Sequence, residues 1–148
     1  MIAAHATPQT LRQDCWPIVP DRLDDLGVPR SVVADLVLRY LWLHGSGTLA
    51  LLNETLKLSF PVLEILFHQF RNQQLLEVKG MTGNDYAFSL TASGRAQAAG
   101  RNDVCQYVGP APVSIQQYQK VVKAQAAHVR LSRESLRQAF ADLVLPDG

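Results

Sequence analysis

A change of hydrophobic period near residue 75 limits the folds open to this chain. Upstream, apolar residues recur at helical spacing through 31–73. Downstream, 76–79 and 86–90 alternate between apolar and polar residues, on either side of a stretch of turn formers at 80–85. This order predicts helices followed by an antiparallel hairpin with a loop of about six residues.

Capping and breaking residues divide the helical stretch into three predicted helices. Ser31, Thr48 and Ser59 are residue types that favour helix N-termini. Pro61 follows within the first turn of the third helix, where a missing N–H costs nothing. The large apolar residues on these helices are expected in the core; they include Leu41, Trp42 and Phe67.

A fourth predicted helix begins at Thr91, directly after the hairpin. Three helices, a hairpin and a helix are the order of a winged helix, in which the second and third helices form the helix-turn-helix. The predicted fold class is therefore mainly α with a small β-hairpin: a winged helix-turn-helix followed by a helical tail. A plain three-helix bundle, the alternative, leaves the alternation around 80–85 unexplained.

Composition shifts predict four segments. Residues 1–30, with four prolines, form an N-terminal arm, and 31–105 form the winged helix. Residues 106–113 form a Pro-rich extended connector, expected to lie against the winged helix because it offers Tyr, Val and Pro instead of Gly and Ser. Residues 114–148 form a helical tail whose apolar stripes either fold back on the winged helix or pair with a second copy of the chain, which would make a homo-oligomer.

Several function classes are not expected. The net charge of +1 gives no overall attraction to nucleic acid or to an anionic membrane. No apolar run reaches the ~18 residues of a membrane span, and the N-terminus lacks the pattern of a signal peptide, so a cytoplasmic protein is expected. Cys15 and Cys105 are interpreted as reduced thiols. The histidines lack metal-ligand spacing, and no catalytic residue or metal site is predicted.

The predicted winged helix carries little positive charge. Residues 31–91 hold four basic and five acidic residues, a net charge of −1. Readers of DNA usually concentrate Lys and Arg on the recognition helix and the wing. We therefore expect a protein partner at this surface, with a DNA-binding module as the alternative. The candidate surface residues are Glu64, His68, Arg71, Asn72, Lys79 and Asn84.

The tail is more basic than the winged helix. Arg133 and Arg137 are four residues apart and share one face of a predicted helix. The pair is a candidate contact for an anion or a nucleotide. The alternative is a solvated helix face, with Glu134 beside the two arginines.

Some motifs carry a family resemblance. Leu90-Thr91-Ala92-Ser93-Gly94 looks like the Leu-Thr-x-x-Gly junction of winged-helix proteins. The segment 106–113, followed by Tyr118 and 136–144, resembles the N-terminal region of a group of bacterial AAA+ ATPases. The resemblance implies a non-catalytic regulatory domain that positions partner proteins, subunits or its own ATPase domain. It implies ATP and Mg only for that ATPase domain, because no G-x-x-x-x-G-K-[ST] loop occurs in this chain.

Overall fold

The computed structural model describes residues 19–126 and 137. Within them the chain forms five α-helices and a three-stranded antiparallel sheet of order β1-β3-β2, which confirms the predicted fold class. The elements, in chain order, are a 3-10 helix at Leu23–Leu26, α1 (Arg30–His44), β1 (Ser46–Gly47), α2 (Leu49–Leu56), α3 (Phe60–Asn72), β2 (Leu76–Thr82), β3 (Asp85–Leu90), α4 (Ala92–Val104) and α5 (Ile115–Ala126).

The hydrophobic core is built around α1, which is buried over most of its circumference. Leu41 is fully buried, as predicted, but the predictions for two aromatic residues are wrong. Trp42 is 40% exposed, because it lies in the last turn of α1 on the side away from the core. Phe67 is only partly buried, and Phe70 is the α3 aromatic that fills the core. The 3-10 helix, from the predicted arm, adds Leu23 and Leu26 to this core.

The helix-turn-helix of α2 and α3 is defined by its termini. The Thr48 hydroxyl accepts a hydrogen bond from the Leu51 N–H at 3.2 Å, which caps α2 as predicted. Ser59 occupies the N-cap position of α3, but its hydroxyl donates to the Pro20 carbonyl at 2.8 Å instead of capping the helix. Between the helices, Lys57 takes the left-handed conformation (φ 55°) that ends α2.

The wing formed by β2 and β3 is longer than predicted. The strands pair from Leu76↔Leu90 to Thr82↔Asp85, so the expected loop of six residues is a two-residue turn. Gly83 supplies the positive φ (63°) that glycine provides in such turns. A bulge between Val78 and Gly80 accommodates the extra residue. Periodicity alone does not reveal a bulge, which is why the strands were expected to stop earlier.

The junction between the wing and α4 is tightly closed. The Thr91 side chain accepts from the Gly94 N–H at 3.0 Å and donates to the Gln74 carbonyl at 2.8 Å. The Thr91 N–H in turn donates to the Leu75 carbonyl at 3.0 Å. One threonine therefore caps α4 and also joins its start to the chain entering β2.

Residues 106–113 hold no helix or strand and lie against the core. The Ala111 N–H donates to the Leu56 carbonyl at 2.7 Å, and Val108 and Ala111 pack on the buried cluster. At the start of this segment, the guanidinium of Arg39 in α1 donates to the Cys105 carbonyl at 2.8 Å. Arg39 is buried, and its Nε has no hydrogen-bond partner.

These contacts give a prediction for Cys105. The Tyr107 backbone N–H hydrogen-bonds the sulfur, and the Arg39 guanidinium adds positive charge, so the pKa of the Cys105 thiol is lowered from its ordinary value. In a Cys15→Ser background, the pH midpoint of alkylation should fall below the ~8.5 of a free cysteine. Arg39→Leu should raise that midpoint part of the way, whereas Arg101→Leu should leave it unchanged. Equal midpoints in the parent and Arg39→Leu proteins would contradict a role for the guanidinium.

The helix α5 belongs to a different unit of the chain from Ile18–Ser114. Its Ile115, Tyr118 and Val122 are exposed at i, i+3 and i+7 spacing. Self-association through this stripe stays a prediction. Among the described helices, none combines the length and apolarity that crossing a bilayer requires.

Candidate nucleic-acid interface

The outer face of α3 presents four of the six predicted surface residues. Glu64, His68, Arg71 and Asn72 follow one another at i, i+4, i+7 and i+8, and all four are exposed. They share a face because a helix repeats every 3.6 residues, while the buried residues of α3 occupy the opposite side. The exposed Ile65 lies among them and adds an apolar contact.

The wing supplies the other two predicted residues, Lys79 and Asn84, which are also exposed. Lys79 forms an ion pair with Glu77 at 2.7 Å. This contact lowers the pKa of the Glu77 carboxyl, chiefly through the hydrogen bond from Lys79 and its positive charge. Lys79 is therefore already partly neutralised. Asn84 lies in the two-residue turn at the wing tip.

A groove of about 490 Å³ separates α3 from the wing and brings three of the predicted residues together. Glu64, His68 and Arg71 lie along its α3 side, and Lys79 and Asn84 do not line it. Its other lining residues are apolar or aromatic: Leu49, Phe67, Val78 and Tyr86. The site thus combines an exposed polar helix face with a groove whose other walls are apolar or aromatic.

An acidic side chain fixes the wing against the helix-turn-helix. The Asp85 carboxylate accepts a hydrogen bond from the Ala50 N–H at 2.8 Å, in the first turn of α2. A carboxylate at this position stabilises the positive end of the helix dipole. The same contact satisfies a backbone N–H that could otherwise bind a phosphate oxygen.

Sequence reasoning missed Phe67, Val78 and Tyr86 as site residues. Phe67 was assigned to the core because it falls on the apolar side of α3. Tyr86 was treated only as part of the alternating pattern. The available signal was that Tyr86 shares a strand face with Phe88, which is fully buried. Where a strand extends beyond the core, the residues of this face become exposed to solvent.

The predicted anion contact cannot be assembled from the described residues. Arg137 is helical and exposed, whereas Arg133 lies outside the residues that the structure describes. Within 19–126 and at 137, no group of three or more His, Cys, Asp or Glu side chains could hold a metal ion.

Comparisons with known proteins return similar structures but no family. No family model matches the chain, and no curated protein matches it. Two structures of Escherichia coli MarR, a cysteine-to-serine mutant and the reduced form, each share 13% identity and a TM-score of 0.47, covering 93% of this chain and 95% of theirs. Disulfide-formed AbfR shares 14% identity and a TM-score of 0.41, covering 90% of this chain and 82% of its own.

The predicted resemblance to the N-terminal region of AAA+ ATPases is wrong. The similar structures are MarR and AbfR, and no family model and no curated protein of an AAA+ ATPase matches the chain. The motif at 106–113 has a local explanation: the Tyr107 hydroxyl donates to the Pro110 carbonyl at 2.9 Å, and Ala111 bonds the end of α2. The order of helices and strands in the structure makes this chain a winged-helix protein.

Proposed function

We propose that the winged helix binds DNA, with α3 as the recognition helix and β2–β3 as the wing. The observation that carries this is the exposed row of hydrogen-bonding side chains on the second helix of the helix-turn-helix. Arginine and asparagine are residue types that read base edges in the major groove, and an apolar residue such as Ile65 suits a thymine methyl group. The geometry favours DNA over the protein partner expected from charge alone.

The low charge of this surface sets the expected strength of binding. Arg71 and Lys79 are the two Lys or Arg residues of the candidate surface. Lys79 already forms an ion pair with Glu77. About two phosphate contacts give a slope near −2 for log K against log salt, far shallower than that of strongly basic DNA readers. Binding by one copy should be weak. Two copies, each reading a half-site, would compensate for it.

The test is fluorescence anisotropy with a random-sequence duplex at about 50 mM salt, where nonspecific affinity is strongest. We expect micromolar binding by the parent chain and roughly tenfold weaker binding by Arg71→Ala, since a base or phosphate contact of Arg is worth ~1–3 kcal/mol. Arg101→Ala is the matched control, because Arg101 pairs with Asp35 of α1 and lies outside the candidate surface.

The proposal fails if no duplex binding occurs at 50 µM protein (roughly tenfold above the expected dissociation constant), or if Arg71→Ala and Arg101→Ala bind alike. A protein partner is then the better candidate. It is favoured by the exposed Leu51, Phe60 and Ile65 on the helix-turn-helix and by the acids Glu64 and Asp85 beside them. Exposed apolar side chains of this kind are common at protein interfaces.

A further inference from the structure

The inner face of the wing continues beyond the core as a ladder of apolar pairs. On this face Leu76 pairs with Leu90, Val78 with Phe88, and Met81 with Tyr86. The bulge after Val78 keeps Met81 on the same face, although it lies three residues further along. Leu90 and Phe88 are buried, whereas Tyr86 is 52% exposed. The ladder therefore ends as an exposed aromatic surface opposite α3.

The facing wall of the groove also combines an aromatic ring with polar groups. Phe67 is held by ring contacts to Phe88 (5.1 Å between centroids) and to His68 (5.8 Å). His68, Glu64 and Arg71 line the same wall with donors and acceptors. The volume of about 490 Å³ lies within the range of ~300–1,000 Å³ typical of small-ligand sites.

We propose that this groove takes one unpaired DNA base, stacked on Tyr86, with its phosphate beside Arg71. Aromatic rings stack on any base, because every base has a π-face, and a cation beside the rings holds the backbone. The groove supplies both, since Phe67 and Tyr86 are aromatic and Arg71 is a cation of the same lining. Glu64 and His68 supply hydrogen-bonding groups for the edge of the base. This inference rests on the proposed DNA binding and adds that an unpaired base is preferred to a paired one.

A base inside a duplex cannot enter the groove without leaving the helix. Its two faces are covered by neighbouring base pairs, and its edge is occupied by its partner. Duplex DNA should therefore reach only the outer face of α3. DNA with a few unpaired bases next to a duplex can use α3 and the groove together.

The test compares a 20-base-pair duplex with the same duplex carrying a central three-nucleotide bubble, using ~0.1–50 µM protein at about 50 mM salt. The parent chain and Tyr86→Phe should bind the bubble roughly tenfold more tightly than the duplex, and Tyr86→Ala should lose that preference. Tyr118→Ala, which removes a similarly exposed tyrosine from α5, should keep it. A 2-aminopurine base in the bubble should be quenched on binding by the parent and by Tyr86→Phe, but not by Tyr86→Ala.

Circular dichroism checks that Tyr86→Ala is folded, as expected for an exposed side chain. Equal affinity for duplex and bubble in the parent chain, or unchanged quenching in Tyr86→Ala, would overturn the groove as a base site and leave duplex binding standing. Failure to bind either DNA would reject the proposed function as well. The two failures are therefore distinguishable.

Discussion

Replacing Phe70 by alanine is expected to destabilise the protein by about 3–5 kcal/mol. Phe70 is 2% exposed and fills the core beneath α3, so its removal leaves a cavity that the surrounding side chains cannot close. Phe67→Ala, three residues earlier on the same helix, should cost less, about 1–2 kcal/mol, because Phe67 is already partly in contact with solvent. Urea denaturation of the two variants and the parent measures both values.

The comparison tests the orientation of α3. Equal losses of stability in the two variants would mean that Phe67 is as deeply buried as Phe70 and that the groove beside it is closed in solution. A larger loss for Phe67→Ala would reverse the assignment of the faces of α3, and with it the placement of His68 and Arg71.

Gly94→Ala is the second change with a large expected effect, and its direction is unusual. Alanine normally stabilises a helix relative to glycine. At Gly94, however, an added Cβ would overlap the Leu75 carbonyl oxygen and lie 3.0 Å from its carbonyl carbon. The obstacle is backbone, which cannot rotate away as a side chain does. We expect a loss of about 1–3 kcal/mol from overpacking.

Gly100, in the same helix, is the matched control. An added Cβ there meets nothing within 4 Å, so Gly100→Ala should gain roughly 0.5–1 kcal/mol. Thermal or urea unfolding should therefore give opposite signs for the two substitutions. A gain for both would show that α4 sits further from Leu75 than the structure places it. The close approach of Gly94 to the Leu75 carbonyl also explains why a glycine follows Thr91 by three residues at this junction.

The sequence predicted the elements better than their mutual contacts. The change of period near residue 75 and the caps at Thr48 and Thr91 depend on neighbours in the chain, so the order of helices and strands could be predicted. Phe67 and Phe70 both suit the apolar side of α3, and only the position of the wing decides which one is covered. Trp42 was misplaced for a similar reason, since hydrophobicity does not say where a helix leaves the core.

The candidate surface was predictable in part. All six predicted residues are exposed. The four on α3 point outward because they lie opposite its apolar stripe, whatever the helix packs against. The groove was not predictable, because it joins α3 to Tyr86 from a strand whose length depends on a bulge and on a two-residue turn. The resemblance to ATPases was misleading because residues 106–113 are explained by their contacts with the core of the winged helix.

The hydrogen bond between Asp85 and Ala50 has a consequence for the cost of binding. Near its tip the wing is tied to α2 by this contact, and at its base Thr91 ties β3 and α4 to the chain before β2. A hairpin held at both ends has little freedom left to lose when a ligand enters beside it. The groove is therefore preorganised. The entropy loss that weakens binding by flexible loops has already occurred during folding. Asp85→Ala should remove this contact and leave the tip of the wing free to move relative to α2.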